Sequence, residues 1–428
     1  METKASHTEN PMPQSIEATG VPRNLLEDLA LKTLYLHGEL RLTELATHMG
    51  LSFGIVHDLF ESLRKEEFLE VKGMKEGAQR VTTTFRGKTH ALELLSLSQY
   101  AGPAPVSFTG YVERVQAQSV RSFEVKPERL RKAFEHLVLS AEVLDQLGTA
   151  VVSGTSIFLY GPTGTGKTSI AEAVPRIYHD FAWVPYAVEA DGQIITVYDP
   201  VLHEKVDHSA EKESDGRWVL CLRPRVVAGG ELTIEMLDLQ LNPITKYYSA
   251  PLQMKANNGI LIVDDFGRQR VGPQELLNRW IVPLDQRIDY LTLAGGRKLE
   301  IPFELFVVFA TNLDPGLLAD EAFLRRIRNK IKLEIMVPEQ FHEVFRRLCT
   351  RFKLAYDPLV VNNLIEMLTK ELKQPLRPCY PLDIIQQILW SAQYKGKDPR
   401  LDQESVARAC RNYFLAVGTS SGAQTSNA

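Results

Sequence analysis

The sequence predicts an α/β core carrying a C-terminal α-helical domain and an N-terminal winged helix-turn-helix domain. Two observations lead there. Between about residues 125 and 338, short apolar runs (Ser156–Tyr160, Ile260–Val263 and Phe306–Ala310) alternate with helical stretches. Runs that are apolar on both faces belong to parallel strands buried between helices. On either side of this region the apolar residues fall at helical spacing instead. A chain of 428 residues has room for two or three such domains. With 44% hydrophobic and 24% charged residues, disordered and fibrous classes are excluded. The net charge of −4 argues against a protein that mainly coats nucleic acid. Cysteines 221, 349, 379 and 410 form no CxxC pair, so neither a disulfide framework nor a zinc site is expected. The N-terminal stretch METKASHTENPMPQ lacks a basic segment followed by an apolar core, and no apolar run approaches the roughly 20 residues a bilayer requires. A cytoplasmic protein without membrane insertion is expected.

Taken in order, residues 1–20 are polar, contain proline and show no apolar period, so disorder is expected there and in the tail 418–428. Over 21–100, Leu25, Leu26, Leu29, Leu31, Leu34 and Leu36 mark a helix that stops before Gly38. Thr43 opens a short helix ending at Met49–Gly50. Ser52 opens a third, with Ile55, Val56, Leu59, Phe60 and Leu63 on one side. Phe68–Val71 and Arg80–Thr84 alternate around a Gly/Lys loop, as a hairpin does. Three helices and a hairpin make the winged helix-turn-helix; an ordinary small helical domain is the competing reading. The segment AGPAP at Ala101–Pro105 signals a linker, taken as 101–124. The α/β domain then runs over 125–338. The stretch between Lys167 and Asp264 is long for a simple core and reads as a β insertion, with alternation over Val184–Asp199, a charged loop over His203–Arg217 and a strand over Trp218–Val227. Its tyrosines, Tyr186, Tyr198, Tyr247 and Tyr248, either grip a polypeptide or pack within it. Residues 339–417 are helical, with Phe341, Val344, Phe345 and Leu348 on one face.

The chemistry is concentrated in three motifs. Gly161-Pro162-Thr163-Gly164-Thr165-Gly166-Lys167-Thr168 is a complete GxxxxGK[ST], preceded by the strand SIFLY and followed by the helical SIAEAV. Glycines let backbone N–H groups close around phosphate oxygens where the helix begins. Lys167 then supplies charge to the β and γ phosphates, and the Thr168 hydroxyl is a ligand for Mg²⁺. ATP and Mg²⁺ are the expected ligands of this P-loop NTPase core. Next, Ile260–Val263 runs into Asp264 and Asp265, the Walker B pattern: the first carboxylate holds Mg²⁺ and the second polarises water. Asp265-Phe266-Gly267 looks like a kinase triplet, but no HRD segment exists and the phosphate loop is of the Walker type, so a kinase is excluded. Last, Phe306–Thr311 is a buried strand ending at Asn312.

In this order the motifs resemble those of AAA+ ATPases, over about residues 125–415. The resemblance implies that Asn312 is the sensor-1 residue that helps hold the attacking water. The segment DEAFLRRI, Asp320–Ile327, is similar to the one that carries an arginine finger, with Arg326 the first choice and Arg325 the second; otherwise the two are a solvated face. RIDYLTL-AGG-RKLEIP, from Arg287 to Pro302, is two alternating runs around a Gly-Gly turn and hence a β-hairpin. Its position looks like that of the pre-sensor-1 hairpin group, and the surrounding run is similar to MoxR-type ATPases. That implies a homo-oligomeric ring, commonly a hexamer, remodelling a protein client. The rival reading is a nucleic-acid-directed ATPase or transcription regulator that reads DNA with the winged helix; a third is a nucleotide-binding scaffold with poor turnover. Two positions depart from the family. Asp265 stands where most members carry Glu, and Leu382 stands where the sensor-2 Arg is expected, with Arg377 five residues earlier as a substitute. In the N-terminal domain the third helix carries Asp58, Glu61 and Glu66 against Arg64 and Lys65, which favours docking to protein over DNA.

Overall fold

A computed structural model describes residues 10–75, 78–207, 214–318 and 324–414. Its centre is a parallel five-stranded sheet in the order Arg225–Ala228, Ile260–Val263, Phe306–Thr311, Ser156–Tyr160, Asn329–Lys332. Side chains alternate between two cores, as a strand's period of two requires. Ile157, Leu159, Ile262 and Val308 pack with Leu147 and Ile170 on one face. On the other, Phe158, Leu261, Val307 and Phe309 pack with Phe266 and Trp280. Burial on both faces is why the three inner strands read as unbroken apolar runs. The edge strand Asn329–Lys332 buries only Ile331 and does not read that way.

The strand expected over Trp218–Val227 is two strands in two sheets. Trp218–Leu222 pairs antiparallel with Phe181–Pro185, whereas Arg225–Ala228 enters the parallel core. Pro224 makes the break, because it has no N–H to continue a ladder. Its carbonyl instead accepts from Ile260 N at 2.8 Å. Arg223, turned inward beside it, donates to Asp180 and to the carbonyls of Gln118 and Asn258.

The N-terminal unit holds the helices Arg23–His37, Leu42–Met49 and Phe53–Lys65 and an antiparallel sheet in the order Leu40–Arg41, Ala78–Thr83, Leu69–Lys75. A further helix, Phe85–Leu97, follows Thr84, whose hydroxyl accepts from Gly87 N at 3.0 Å. It fully buries only Gly87 and Ala91, with Leu94 packed partly buried against the same core.

Two expected boundaries are corrected. Residues 10–20, expected to be disordered, are packed: Asn10, Ile16 and Thr19 are buried, and Glu17–Thr19 forms a 3-10 turn. The remainder of that segment, 1–9, and the tail 418–428 lie outside the described residues. Nor is 101–124 a linker. Val106–Ser107 is a strand and Phe108–Ala117 a helix, begun where Ser107 Oγ accepts from Gly110 N and buried through Tyr111 and Val115. Phe108, Tyr111, Val112 and Val115 have helical spacing, and the preceding AGPAP masked it. Even Ala104 is buried, with its N–H on Met49 O at 2.7 Å.

The insertion and the hairpin Ile288–Thr292/Lys298–Pro302 share one core of Trp183, Val188, Ile195, Trp218, Leu291 and Ile301. All four tyrosines pack within the protein: Tyr186 against Tyr198, Tyr198 also on His203, Tyr247 against Tyr100, and Tyr248 buried. The C-terminal unit contains the helices Pro338–Phe352, Pro358–Glu366, Cys379–Tyr394 and Gln403–Tyr413, packed through Phe341, Phe345, Leu364, Ile384 and Val406. Among the described residues no helix is long and apolar enough to cross a membrane.

Candidate functional site

The sheet order sets the ends of Ile260–Val263, Phe306–Thr311 and Ser156–Tyr160 side by side. The segments leaving those ends meet at a cavity of about 470 Å³. Thr163–Ile170, Asp264, Asp265 and Asn312 line its polar end. Leu137, Val138, Leu139, Met336, Val344 and Leu348 supply an aliphatic wall opposite.

Backbone geometry explains the glycines of the loop. Gly161 has φ 136°, and a methyl group there would sit 2.2 Å from the Leu333 carbonyl oxygen. Gly166, at φ 89°, leads into the helix Lys167–Ala173. Lys167 is 7% exposed, and its ammonium donates to the carbonyls of Gly161 (3.0 Å) and Pro162 (2.7 Å). Burial pushes its pKa down, while Asp265 and Asp264 act the other way. Gly161 and Pro162 therefore stand one step behind the cavity and hold the lysine. Thr163, Gly164, Thr165, Gly166, Lys167 and Thr168 line it.

Opposite the loop, Thr168 Oγ1 donates to both oxygens of Asp264, at 3.1 and 3.0 Å. This is an oxygen-only pair, the donor chemistry that suits Mg²⁺. Asp265 has φ 49°, and Asn312 Nδ2 donates to its Oδ1 at 3.3 Å. Phe266 N donates to Ala310 O and Thr311 Oγ1 to Phe266 O, both at 2.7 Å, which fastens the turn after Asp265 to the neighbouring strand. A cavity with a cation, a hydroxyl and two carboxylates at one end and aliphatic walls at the other fits a ligand with a charged tail and a flat apolar head.

The core is a P-loop α/β fold. Among solved structures the chain is similar to the RuvB Holliday junction branch migration motor of Thermotoga maritima, at 13% identity over 64% of this chain and 68% of that one, with a TM-score of 0.36. It is also similar to NtrX from Brucella abortus, at 13% identity over 77% of this chain and 64% of that one, with a TM-score of 0.41. Both are AAA+ P-loop ATPases. A family described as a domain of unknown function (DUF8689) matches residues 337–412, the C-terminal helical unit. No curated protein matches the chain.

The three expected arginines stand outside the cavity. Arg325 is exposed; the Arg326 side chain is 18% exposed, with Nε 4.0 Å from Asp285 Oδ2. Arg377 packs beside the loop: a methyl group on Gly164 would meet Arg377 Cδ at 3.3 Å, and the guanidinium lies over the Tyr380 ring. Leu382 does line the cavity.

Sequence reasoning missed the aliphatic wall and Arg347. Val344 and Leu348 reach the cavity from the helix whose Phe341 and Phe345 fill the helical core. Arg347 joins that helix to the core, donating from Nη1 to Glu135 O (2.6 Å) and Leu137 O (3.2 Å). Its backbone partners carry no sequence signal, so nothing in the chain could have announced them.

Proposed function

We propose that the protein is a Mg²⁺-dependent ATP hydrolase of the AAA+ class, a cytoplasmic homo-oligomeric ring, hexameric as is common in the class, that remodels a protein client in the manner of MoxR-type ATPases. The observation that carries this reading is the convergence of Lys167, Thr168, Asp264, Asp265 and Asn312 on the polar end of a cavity with an aliphatic far wall. The polar end takes the phosphates and the far wall takes the purine.

In this reading Lys167 neutralises phosphate charge, and Thr168 and Asp264 hold the metal. Bound magnesium supplies charge neutralisation on the phosphates. Asp265 accepts a proton from the attacking water, and the Asn312 amide keeps that carboxylate and the water in register. The C-terminal unit acts as a lid over the base through Val344 and Leu348 of the helix Pro338–Phe352, with Met336 on the segment leading into it. Arg377, packed at Gly164, takes the place of the sensor-2 arginine absent at Leu382. Of the arginine pair, the exposed Arg325 is the finger that enters a neighbouring subunit's site, and Arg326, held near Asp285, supports it. This order reverses the sequence-based preference because a finger must be free to leave its own subunit.

The N-terminal helices and three-stranded sheet are read as a winged helix that docks a protein. Steady-state ATP hydrolysis with and without duplex DNA, together with sedimentation, tests the whole reading. Turnover that requires Mg²⁺ and assembly but not DNA supports it. Turnover that depends on DNA favours a nucleic-acid-directed machine, and negligible turnover favours a nucleotide-binding scaffold.

A further inference from the structure

We infer that Gln269 is a positioning residue for hydrolysis, holding the backbone that aims Asp265. The inference rests on the assignment of Asp265 as the group that activates water.

The Gln269 side chain closes the turn that follows the strand Ile260–Val263. Its Nε2 donates to the Asp264 carbonyl at 2.8 Å, and its Oε1 accepts from Gly267 N at 2.7 Å. The partners leave only one orientation for the amide, since a carbonyl needs a donor and an N–H needs an acceptor. The Asp264 carbonyl belongs to the planar peptide unit that joins Asp264 to Asp265, so holding it sets the torsions on both sides. One of these is the φ of Asp265, which at 49° lies in the left-handed region that a residue with a Cβ enters only when its surroundings impose it.

The other holds on the turn act elsewhere. Phe266 is tied to the neighbouring strand, and Arg268 N donates to Asp265 O at 2.9 Å; both lie on the C-terminal side of Asp265. On the N-terminal side, Asp265 N donates to Asp264 Oδ1 at 2.9 Å. That carboxylate also receives the Thr168 hydroxyl and is the one assigned to the metal. Asp264 N, on the preceding peptide, donates to Ala228 O at 2.9 Å. Among the described residues Gln269 is thus the hold on the Asp264–Asp265 peptide that shares no duty with ligand binding, and it does not line the cavity.

The length of Asp265 makes the hold matter. A glutamate has one more rotatable bond and can re-aim its carboxylate when the backbone shifts. An aspartate follows the backbone, and small displacements of a reacting group carry large rate penalties. Gln269 compensates for the short carboxylate by fixing the backbone beneath it.

The test is a double-mutant cycle in the full-length protein, combining Gln269→Ala with Asp265→Glu. It is read by steady-state ATP hydrolysis and by binding of a fluorescent ATP analogue. Gln269→Ala should lower kcat by about 10- to 100-fold, with analogue affinity unchanged. In the Asp265→Glu background the same change should cost no more than about threefold, a coupling between the two positions that a merely structural role would not produce. Gln269→Glu, which sets a carboxylate against the Asp264 carbonyl, should lose as much as Gln269→Ala. Should the alanine variant fail to fold, Gln269→Met, which keeps the length and removes both bonds, carries the test. Equal losses in both backgrounds, an unchanged kcat, or a parallel loss of analogue affinity would overturn the inference. Asp265→Asn separates it from the reading beneath it. If that variant turns over normally, the base assignment fails; if it is dead while Gln269→Ala is fully active, only the positioning role fails.

Discussion

Asn312 donates its side-chain amide to Asp265 Oδ1 at 3.3 Å, joining the ends of two neighbouring parallel strands. An amide nitrogen that holds the carboxylate leaves the amide oxygen for a water. In the proposed mechanism this pair serves chemistry on that water rather than affinity, whereas Lys167 serves affinity.

Lys167→Ala should abolish nucleotide binding, because it removes the buried cation that the Gly161 and Pro162 carbonyls hold in place. Asp265→Asn should bind normally and lose turnover by about 10²- to 10⁴-fold, the range of a general base. Equilibrium binding of a fluorescent ATP analogue beside a phosphate-release assay separates the two. Normal hydrolysis by the Asp265 variant would remove the base assignment.

Mixed assemblies test whether the site is shared. Arg325→Ala should bind ATP as the unmutated chain does and lose turnover by about 10³-fold or more, the scale of an arginine finger. It should be partly rescued when mixed with Lys167→Ala, whose own arginines are intact. Arg326→Ala should have the smaller effect of the two. Activities in strict proportion to the mixing ratio would count against a finger at either position.

The parts of the site that were legible in sequence are those whose residues are adjacent in the chain. Gly161–Thr168 and Asp264–Asp265 announce themselves because the phosphate and metal binding proposed for them needs set spacings, and the strands carrying them are apolar on both faces. The aliphatic wall was hidden because it is assembled from 137–139, 336 and 344–348, each unremarkable alone. Gln269 was hidden because its work is done through two backbone groups. Asn329–Lys332 alternates like a surface strand, since an edge strand buries one face only.

Lys32 gives a pH signature in the N-terminal unit. It is 5% exposed, bonded to Ser98 O at 3.2 Å, and burial pushes its pKa down from 10.5 to about 8 against the pull of Asp28. Below pH 8 both states are protonated and the folded state carries the full cost of a buried charge. Between about 8 and 10.5 the folded state sheds the proton while the unfolded chain keeps it, so this group's contribution to stability rises with pH. Lys32→Met should therefore stabilise the protein at pH 7, by up to about 3 kcal/mol. The gap between the variants should close by pH 10.5, as read by urea unfolding across that range. A gap that widens with pH would refute the assignment.

Arg217 tests the packing of the N-terminal segment. It forms a two-pronged pair with Asp215, the side chains 6% and 5% exposed, and Nη1 reaches Thr19 O at 2.9 Å. Arg217→Ala leaves Asp215 buried without its cation, a change that costs about 3–5 kcal/mol. Thermal melting should show it, and limited proteolysis should cut between residues 10 and 20. Unchanged proteolysis would mean that the segment is held by other contacts.

The N-terminal unit decides between client and DNA. A DNA-reading domain gains most of its affinity from Lys and Arg set against phosphates, and here several of those cations are already committed. Arg64 pairs with Glu61 at 3.1 Å, Arg80 with Glu39 at 3.5 Å and Arg23 with Glu27 at 2.8 Å. The helix Phe53–Lys65 begins with an exposed Phe53, in ring contact with His57, and carries the exposed Asp58. An aromatic ring beside a carboxylate suits a protein surface better than a groove walled by phosphates. The unit also shares a core with Ala187 and Ile194 of the insertion, so the full chain is the right reagent. Fluorescence anisotropy with labelled duplex DNA at physiological salt should show no sub-micromolar binding, with or without ATP. Phe53→Ala should leave basal hydrolysis intact while abolishing any stimulation by a protein client. Sub-micromolar binding to DNA that weakens steeply with salt would instead make the unit a nucleic-acid reader and move the whole protein to the rival class.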